Sequence, residues 1–214
     1  MLLFISMQTP EIIVVGGKPY SGKSSVSSAL VELDKSGRAR HLSIGAQLRA
    51  ISAGEVASKY SAELADSAET LKNHKPVNKD VSLGVFREFI ESEPADIIIL
   101  DGFPRYPDRM DGFNEAIEEI GAKIIAVVLI DVEDSLVHKR SSSRTQRYKD
   151  VVEDSTFIDS RIKDFRNNSF PVIEILSKRY PFYKINGDRP LSENIEDFIN
   201  IYKENSLVYK SKNQ

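Results

Sequence analysis

Residues 11–25 read EIIVVGGKPYSGKSS, an apolar run that leads directly into a glycine-rich turn. From Gly17 to Ser24 the turn spells G-x-x-x-x-G-K-S, in which backbone N–H groups cradle phosphate oxygens, the lysine adds positive charge and the hydroxyl reaches Mg²⁺. Residues 12–15 are β-branched and apolar, as in a buried parallel strand. Apolar residues then follow at helical spacing, at Val26, Leu30 and Leu33. Strand, loop and helix therefore occur in the order that a phosphate-binding loop requires, which a chance glycine-rich turn would not supply.

The composition indicates one domain without disulfides. At 214 residues the chain is long enough for one substantial core and too short for two ordinary domains with a linker. It has no cysteine, which excludes disulfides and cysteine-ligated zinc, and its formal net charge of -3 argues against a surface for a nucleic acid polymer. No apolar run approaches the ~20 residues of a membrane span. We expect a monomeric, cytoplasmic protein with no membrane contact, in which residues 1–10 are an N-terminal extension and not a signal peptide.

Five apolar runs alternate with helical patterns along the chain. The strand-like runs are residues 12–15, 41–45, 96–101, 123–130 and 182–187. The helical patterns are residues 24–33, 81–90, 108–120, 133–144, 154–179 with a kink at Pro171, and 191–202. This alternation predicts an α/β fold with a parallel five-stranded sheet flanked by helices. The tract 46–74, rich in alanine and serine, predicts a small helical insertion, and the polar segment 141–150 predicts an exposed flap.

An acid and an arginine follow the strand predicted at residues 96–101. Asp101 ends that strand, at the edge where parallel sheets place ligand groups, and its carboxylate can hold Mg²⁺ directly or through water. Arg105 follows Pro104, whose fixed φ stiffens the loop that carries the guanidinium. Taken alone, Asp101 would be better explained as a helix-cap or turn aspartate, and the alternative for Arg105 is a surface salt bridge. Beside a phosphate-binding loop of the same sheet, they predict a site for phosphoryl transfer.

The stretch DGFPR at residues 101–105 matches without change the signature of the adenylate kinase family of nucleoside-monophosphate kinases, and the resemblance covers about residues 12–198. It implies the P-loop NTPase fold and an ATP- and Mg²⁺-dependent kinase that converts a nucleoside monophosphate to the diphosphate, with AMP as the expected acceptor. Within a kinase domain at 11–208 it implies a monophosphate-binding subdomain at 44–78 and a short lid at 141–152. Residues 209–214 are left as a tail.

The resemblance also implies a role for individual residues. It assigns ATP binding to Gly17, Lys18, Pro19, Tyr20, Ser21, Gly22, Lys23, Ser24, Ser25 and Gly187, and the metal to Ser24 and Asp101. It assigns the monophosphate to Ser43, Gly45, Arg49, Val77, Gly102, Arg105 and Arg109. The implied catalytic residues are Lys23, Arg105, Arg140, Arg144, Arg147 and Arg161. The alternative for the last four of these is a solvated helix face, although arginines fit the neutralisation of phosphoryl charge better.

Three positions depart from the family pattern. Tyr20 replaces a loop glycine, and we expect the loop to form with Tyr20 at a φ below zero. Ala46 replaces an aspartate that helps to organise the water around Mg²⁺. Arg109 replaces the glutamine that reads adenine, and an arginine cannot accept a hydrogen bond from the adenine amino group. The accepted base is therefore open, and the residues from Arg105 to Asn114 also resemble UMP/CMP kinases.

Two other functions compete with an active kinase. The departures at Tyr20 and Ala46 fit a nucleotide-binding module that keeps the fold and has lost efficient catalysis. A GTPase is disfavoured, because residues 78–81 only approximate the N-K-x-D guanine-reading motif and follow no strand.

Overall fold

The sheet is parallel throughout and has five strands. The computed structural model describes residues 9–73, 75–147 and 154–212, with the backbone alone described at 144–147 and at 212. The strands are β1 (Glu11–Gly17), β2 (Ala39–Leu42), β3 (Ile97–Asp101), β4 (Lys123–Asp131) and β5 (Phe182–Asn186). They lie in the order β2-β3-β1-β4-β5, and each neighbouring pair is parallel. The predicted five-stranded α/β fold is confirmed.

Helices connect the strands and cover both faces of the sheet. They are α1 (Lys23–Leu33), α2 (Ile44–Ser52), α3 (Ser61–Asp66), α4 (Ala68–Lys72), α5 (Lys79–Ser92), α6 (Met110–Glu119), α7 (Asp134–Arg147), α8 (Ser155–Asp164), α9 (Phe170–Ser177), α10 (Leu191–Asn205) and α11 (Leu207–Lys212). A 3₁₀ turn at Pro107–Arg109 precedes α6, and a π-helical turn at Phe165–Ser169 joins α8 to α9. None of the helices in these three ranges is long and apolar enough to cross a bilayer.

The central strand β1 divides the core into two apolar layers. Ile12 and Val14 belong to one layer, with residues of α2, α5, α6 and α9, whereas Ile13 and Val15 belong to the other, with residues of α1 and α10. This division follows from the alternation of side chains along a strand, and it explains why every residue from Ile12 to Val15 is apolar. The buried sheet thus fixes the carboxyl ends of β1 and β3, where the phosphate-binding loop and Asp101 lie.

The helical segments differ from the expected ones in one place. Within the tract 46–74, predicted as a small helical insertion, the described residues form parts of three short helices, α2 to α4. The long pattern 154–179 is interrupted by the π-helical turn at 165–169, ahead of the expected kink at Pro171. Pro171 lies in the first turn of α9, where its missing N–H is tolerated but cannot continue the hydrogen-bond ladder from α8.

The segments expected to be a flap and a tail are partly helical. Residues 141–147 continue α7; Ser141 is buried, whereas Ser142 and Ser143 are exposed. The rest of the expected lid, residues 148–152, lies outside the described ranges. At the carboxyl end, residues 207–212 form α11, so the expected tail from 209 begins as helix. Glu11 of β1 anchors this helix, because its carboxylate accepts hydrogen bonds from Ser206 Oγ and from the Leu207 amide.

Three phenylalanines that pack together in the core predict a measurable stability difference. Phe86 is fully buried, with its ring centroid 5.3 Å from that of Phe103 and 5.7 Å from that of Phe113. Phe86→Ala should therefore lower the free energy of unfolding by about 3–5 kcal/mol, through lost burial and the cavity left behind. The matched control is Phe182→Ala, because Phe182 is 41% exposed and should lose far less. Equal losses in urea denaturation of the two variants would contradict this packing.

Candidate active site

The loop between β1 and α1 depends on two glycines at its ends. At Gly17, an added Cβ would lie 2.5 Å from the carbonyl oxygen of Ile130 and 2.7 Å from Ser21 Oγ. Gly22 caps the amino end of α1 with φ at 99°, a conformation that side chains disfavour. The chain can therefore turn tightly from the strand into the helix only with glycine at these positions, and the amino end of α1 is left facing the loop.

Lys23 folds back across this loop. Its ammonium donates to the carbonyl oxygens of Gly17 and Lys18, each at 2.9 Å. Burial is the main cause that lowers the pKa of Lys23 to about 8. The negative charge of Asp101 raises this pKa, and the positive charges of Arg105 and Arg161 lower it. The carbonyls alone do not neutralise the ammonium, so an anion in the loop would be strongly favoured next to it.

Asp101 lies on the other side of Lys23 and is tied to the start of α1. The β1–β3 register places it beside Val15, and its Oδ2 accepts a hydrogen bond from Ser24 Oγ at 2.6 Å. His41 Nε2 lies 3.3 Å from the same oxygen. Burial opposes ionisation of Asp101, but the hydrogen bond with His41, the charge of Lys23 and the hydrogen bond from Ser24 hold its pKa below the ordinary value. The carboxylate is therefore ionised at neutral pH.

Ser24 and Asp101 offer the kind of oxygen ligands that Mg²⁺ uses with a nucleotide. Mg²⁺ is usually held by one or two protein oxygens together with phosphates and water, and these two groups already lie in hydrogen-bond contact. Among the described residues, no group of three or more acidic, histidine or cysteine side chains is placed to hold a metal by itself. The arrangement fits a metal that arrives with phosphate.

A cleft of about 390 Å³ opens next to the loop. Besides the exposed Lys75, three cationic side chains with separate origins in the fold line it: Lys23 of α1, Arg105 after β3 and Arg161 of α8. Within the described ranges, the half-buried Arg105 guanidinium makes no hydrogen bond or ion pair. The other lining residues are Gly17, Pro19, Asn73, Lys75, Pro76, Tyr106, Phe157, Ser160, Asp164, Phe165 and Ser169. Such convergence of cations suits a highly charged anion.

Gly102 separates two of these cations. A Cβ added there would lie 3.9 Å from Arg105 Nη2 and 4.0 Å from Lys23 Cε, and its φ of 67° also favours glycine. The DGFPR stretch thus brings a carboxylate and a guanidinium to the same end of the sheet as the loop.

Arg49, Arg109 and Arg140 of the predicted site are not among the described residues that line the cleft. Arg140 is committed to backbone carbonyls, donating to Gly187 O at 2.8 Å, Tyr20 O at 3.2 Å and Ser21 O at 3.4 Å. Arg49 is exposed on α2. Arg144 and Arg147 lie in the last turns of α7, where the structure describes the backbone alone.

Arg109 is buried behind the cleft wall. Its Nη1 donates to Ser82 Oγ at 2.7 Å and its Nη2 to the carbonyl oxygen of Val77 at 2.8 Å, whereas its buried Nε has no hydrogen-bond partner. The guanidinium carbon lies 4.7 Å from the centroid of the Tyr106 ring, which does line the cleft. Burial lowers the pKa of Arg109 below its ordinary value.

The expectation for Tyr20 was wrong. Its φ is +58°, in the left-handed region, and it is the one non-glycine residue with positive φ in the described ranges. This conformation costs about 1–2 kcal/mol for a residue with a Cβ. The ring is partly buried against a small apolar cluster of Val132, Val137, Ile158 and Ile162, which offsets the backbone cost.

The remaining predicted residues lie around the same end of the sheet. Lys18 turns away from the loop, since its ammonium donates to Val132 O at 2.6 Å and pairs with Asp134 at 2.8 Å. Ser43 and Gly45 lie at the start of α2 without a side-chain cap. Ser21 is buried, and Ser25 is exposed.

Sequence reasoning did not single out three polar residues of this region. His41 contacts Asp101, and Tyr106 donates to Asp164 Oδ1 at 3.4 Å across the cleft. The tyrosine hydroxyl thereby joins the loop after β3 to α8, and burial together with Asp164 raises its pKa. His41 begins the strand-like run 41–45, but no local pattern pairs Tyr106 with a residue 58 positions away.

The lowered pKa of Lys23 predicts a pH-dependent stability. Between about pH 8 and the ordinary lysine value of 10.5, the unfolded chain binds more protons at this position than the folded chain, so the free energy of unfolding gains a term that rises with pH. Lys23→Met removes that term. The stability of wild type relative to Lys23→Met should therefore increase from pH 8 to pH 10 in parallel urea denaturations of the unliganded proteins. A difference that stays constant would contradict the lowered pKa.

Comparison with known proteins places this arrangement in a family. The family model described as adenylate kinase matches residues 14–180. The adenylate kinase of Nautilia profundicola is 26% identical over 200 residues, covering 92% of this chain and 99% of the relative. That of Helicobacter hepaticus is 26% identical over 196 residues, covering 90% and 97%. UMP-CMP kinase 3 of Arabidopsis thaliana is 30% identical over 193 residues, covering 90% and 89%.

The matched region runs from β1 through the π-helical turn and α9, and it includes the loop lysine, Asp101 and every arginine of the predicted site. The length of this match, together with relatives that align over nearly their whole length, shows that the chain belongs to the adenylate kinase family of nucleoside-monophosphate kinases.

Proposed function

We propose that the chain transfers the γ-phosphoryl group of ATP to a nucleoside monophosphate, with AMP as the preferred acceptor. The observation that carries this proposal is the convergence of Lys23, Arg105 and Arg161 on one cleft beside the phosphate-binding loop. Phosphoryl transfer requires little covalent chemistry from the protein. It requires that two substrates be aligned and that charge on the transferring oxygens be neutralised from several sides.

The roles follow from where each cation originates. Lys23 exchanges its contacts with the carbonyls of Gly17 and Lys18 for the phosphates of ATP, which restores a full positive charge to its amine. Arg105, whose guanidinium is uncommitted in the described residues, binds the acceptor phosphate, with Arg49 as its proposed partner. Both can bind phosphate bidentately. Arg161 reaches the cleft from α8 and faces the phosphoryl group in transfer.

Ser24 and Asp101 would hold Mg²⁺ together with the ATP phosphates. The bound metal would supply charge neutralisation on the phosphate oxygens. The hydrogen bond between Ser24 and Asp101 orients both oxygens before any ligand arrives.

Two segments complete the proposed enzyme. Residues 44–78, which include α2 to α4, would form the monophosphate-binding subdomain, because Lys75 and Pro76 reach the cleft from it. The end of α7 and the segment up to residue 152 would form the short lid, carrying Arg144 and Arg147 to the phosphates.

Arg109 favours a second candidate acceptor, a pyrimidine monophosphate. The resemblance places Arg109 where adenylate kinases have glutamine. Its Nη2 donates a hydrogen bond to the Val77 carbonyl oxygen, an acceptor that an amino group of the base would otherwise use. Its Nε is a buried donor without a hydrogen-bond partner, 4.0 Å from Asp108 Oδ1. A base carbonyl would satisfy that donor and an adenine amino group would not. The 30% identity with a plant UMP-CMP kinase points the same way.

A panel of acceptors tests the proposal directly. ADP formation from ATP and Mg²⁺ should be measured with AMP, UMP, CMP, GMP and dAMP, and at least one should be turned over at an enzymatic rate. Lys23→Met, which removes a phosphate contact and little core volume, is the matched control and should lose turnover by about two orders of magnitude or more while remaining folded. Tight ATP binding in calorimetry with no turnover of any acceptor would instead support the nucleotide-binding module.

The role of Arg109 predicts a change in base preference. Arg109→Gln supplies both a donor and an acceptor, so the ratio of kcat/KM for AMP to that for UMP should rise about tenfold. Arg87→Gln is the matched control, because Arg87 pairs with Glu119 on the outside of α5 and should leave the ratio unchanged. An unchanged ratio in Arg109→Gln would show that this residue does not read the base.

A further inference from the structure

Tyr20 links the phosphate-binding loop to α7 and α8. Its ring packs with Val132 at the end of β4, Val137 of α7, and Ile158 and Ile162 of α8. Its carbonyl oxygen accepts a hydrogen bond from Arg140 Nη1 of α7 at 3.2 Å. A backbone held in the left-handed region persists where the surroundings overdetermine it, and such positions concentrate at functional sites. The side chain and the main chain of Tyr20 are thus both held by α7 and α8, and α8 also lines the cleft.

The face of the Tyr20 ring is turned to Arg161. The guanidinium carbon of Arg161 lies 5.6 Å from the centroid of the Tyr20 ring and 5.9 Å from that of Phe157. Both distances lie within the range of favourable cation–π contacts. Arg161 is thereby placed between two aromatic rings, one on the loop and one on its own helix.

Arg161 lies among like charges in this cleft. It shares the cleft with Lys23 and Arg105, and its charge contributes to the lowered pKa of Lys23. Like charges gathered in a partly buried cleft repel one another until an anion binds. The negative faces of aromatic rings attract a guanidinium without occupying the phosphate site with a carboxylate.

We propose that Tyr20 is a positioning residue that holds Arg161 in the cleft before nucleotide binds and couples the loop to α8. This inference rests on the proposed phosphoryl transfer, since it assigns to Arg161 a place at the transferring group. Tyr20 acts through Arg161, and the left-handed backbone is what aims the ring at α8 instead of into the loop. The loss of glycine at this position thus supplies a contact that preorganises the site.

The placement is tested without turnover, by the NMR signal of the Arg161 Nε–H group in the unliganded protein. The signal is assigned by its absence in Arg161→Lys. In wild type it should carry a ring-current shift, and Tyr20→Leu, which keeps apolar bulk and removes the ring, should move it toward the ordinary arginine position. Tyr20→Phe should retain the shift. A signal that does not move in Tyr20→Leu would overturn the inference.

Kinetics test the consequence. Tyr20→Leu should have a kcat about tenfold below that of Tyr20→Phe, with a smaller change in KM for ATP, because the lost contact positions a group for the transfer step. In an Arg161→Met background the two Tyr20 variants should differ by less than about twofold, since the partner is gone. An equal difference in both backgrounds would show a merely structural role for the ring. A protein that turns over no monophosphate would overturn the proposed function, while the NMR comparison would still decide the placement of Arg161.

Discussion

The parallel pairing of β1 with β3 sets Val15 beside Asp101, and the rest of the site depends on this register. Two residues after Val15 the chain enters the phosphate-binding loop, and the hydrogen bond from Ser24 Oγ to Asp101 Oδ2 joins the start of α1 to the neighbouring strand. A slip of one residue would exchange the two faces of β3 and turn the carboxylate away. Residues 12–15 of β1 and 97–100 of β3 are all apolar and buried, which gives this pairing its specificity and its stability.

A second constraint is the crowding of like charge at this edge of the sheet. Lys23, Arg105 and Arg161 gather around one cleft, and the charge of Asp101 opposes the effect of the two arginines on Lys23. Neutral groups also contribute: loop carbonyls accept hydrogen bonds from Lys23, and the aromatic rings of Tyr20 and Phe157 lie within cation–π distance of Arg161. Charge that is unfavourable in the unliganded protein becomes favourable when phosphates enter, so part of the folding stability is exchanged for affinity.

Much of the fold was predictable because its signals are local. The strands of 5 to 9 residues at β3, β4 and β5 appear as apolar runs, and the turn from Gly17 to Ser24 is specified by its own glycines. The place where the helical pattern 154–179 is interrupted was harder to predict. The π-helical turn at 165–169 depends on how α8 and α9 pack and only indirectly on Pro171. The conformation of Tyr20 was mispredicted for a similar reason, since the apolar cluster that compensates its positive φ comes from residues more than 100 positions away.

The site shows the same limit. Local motifs placed Lys23, Asp101 and Arg105 together, whereas the contacts of Arg109 with Val77 and Ser82, and of Tyr106 with Asp164, depend on tertiary packing that no short pattern reveals. Arg140 appeared from sequence to be one of several equivalent arginines, yet it binds three backbone carbonyls and braces the loop. Residue type and order indicated the chemistry, and the packing decided which side chains are committed to the scaffold and which line the cleft.

The central claim is that one cleft on one chain brings two nucleotides together across the cations of Lys23, Arg105 and Arg161. Calorimetric titration with a bisubstrate analogue, in which a polyphosphate bridge joins adenosine to a second nucleoside, tests it most directly when adenosine and uridine are compared as the second nucleoside. The account predicts one molecule bound per chain for at least one of the two, more tightly than ATP alone, with the affinity greatly reduced in Arg105→Ala. Binding of two molecules per chain, or an affinity no better than that of ATP for either analogue, would contradict it.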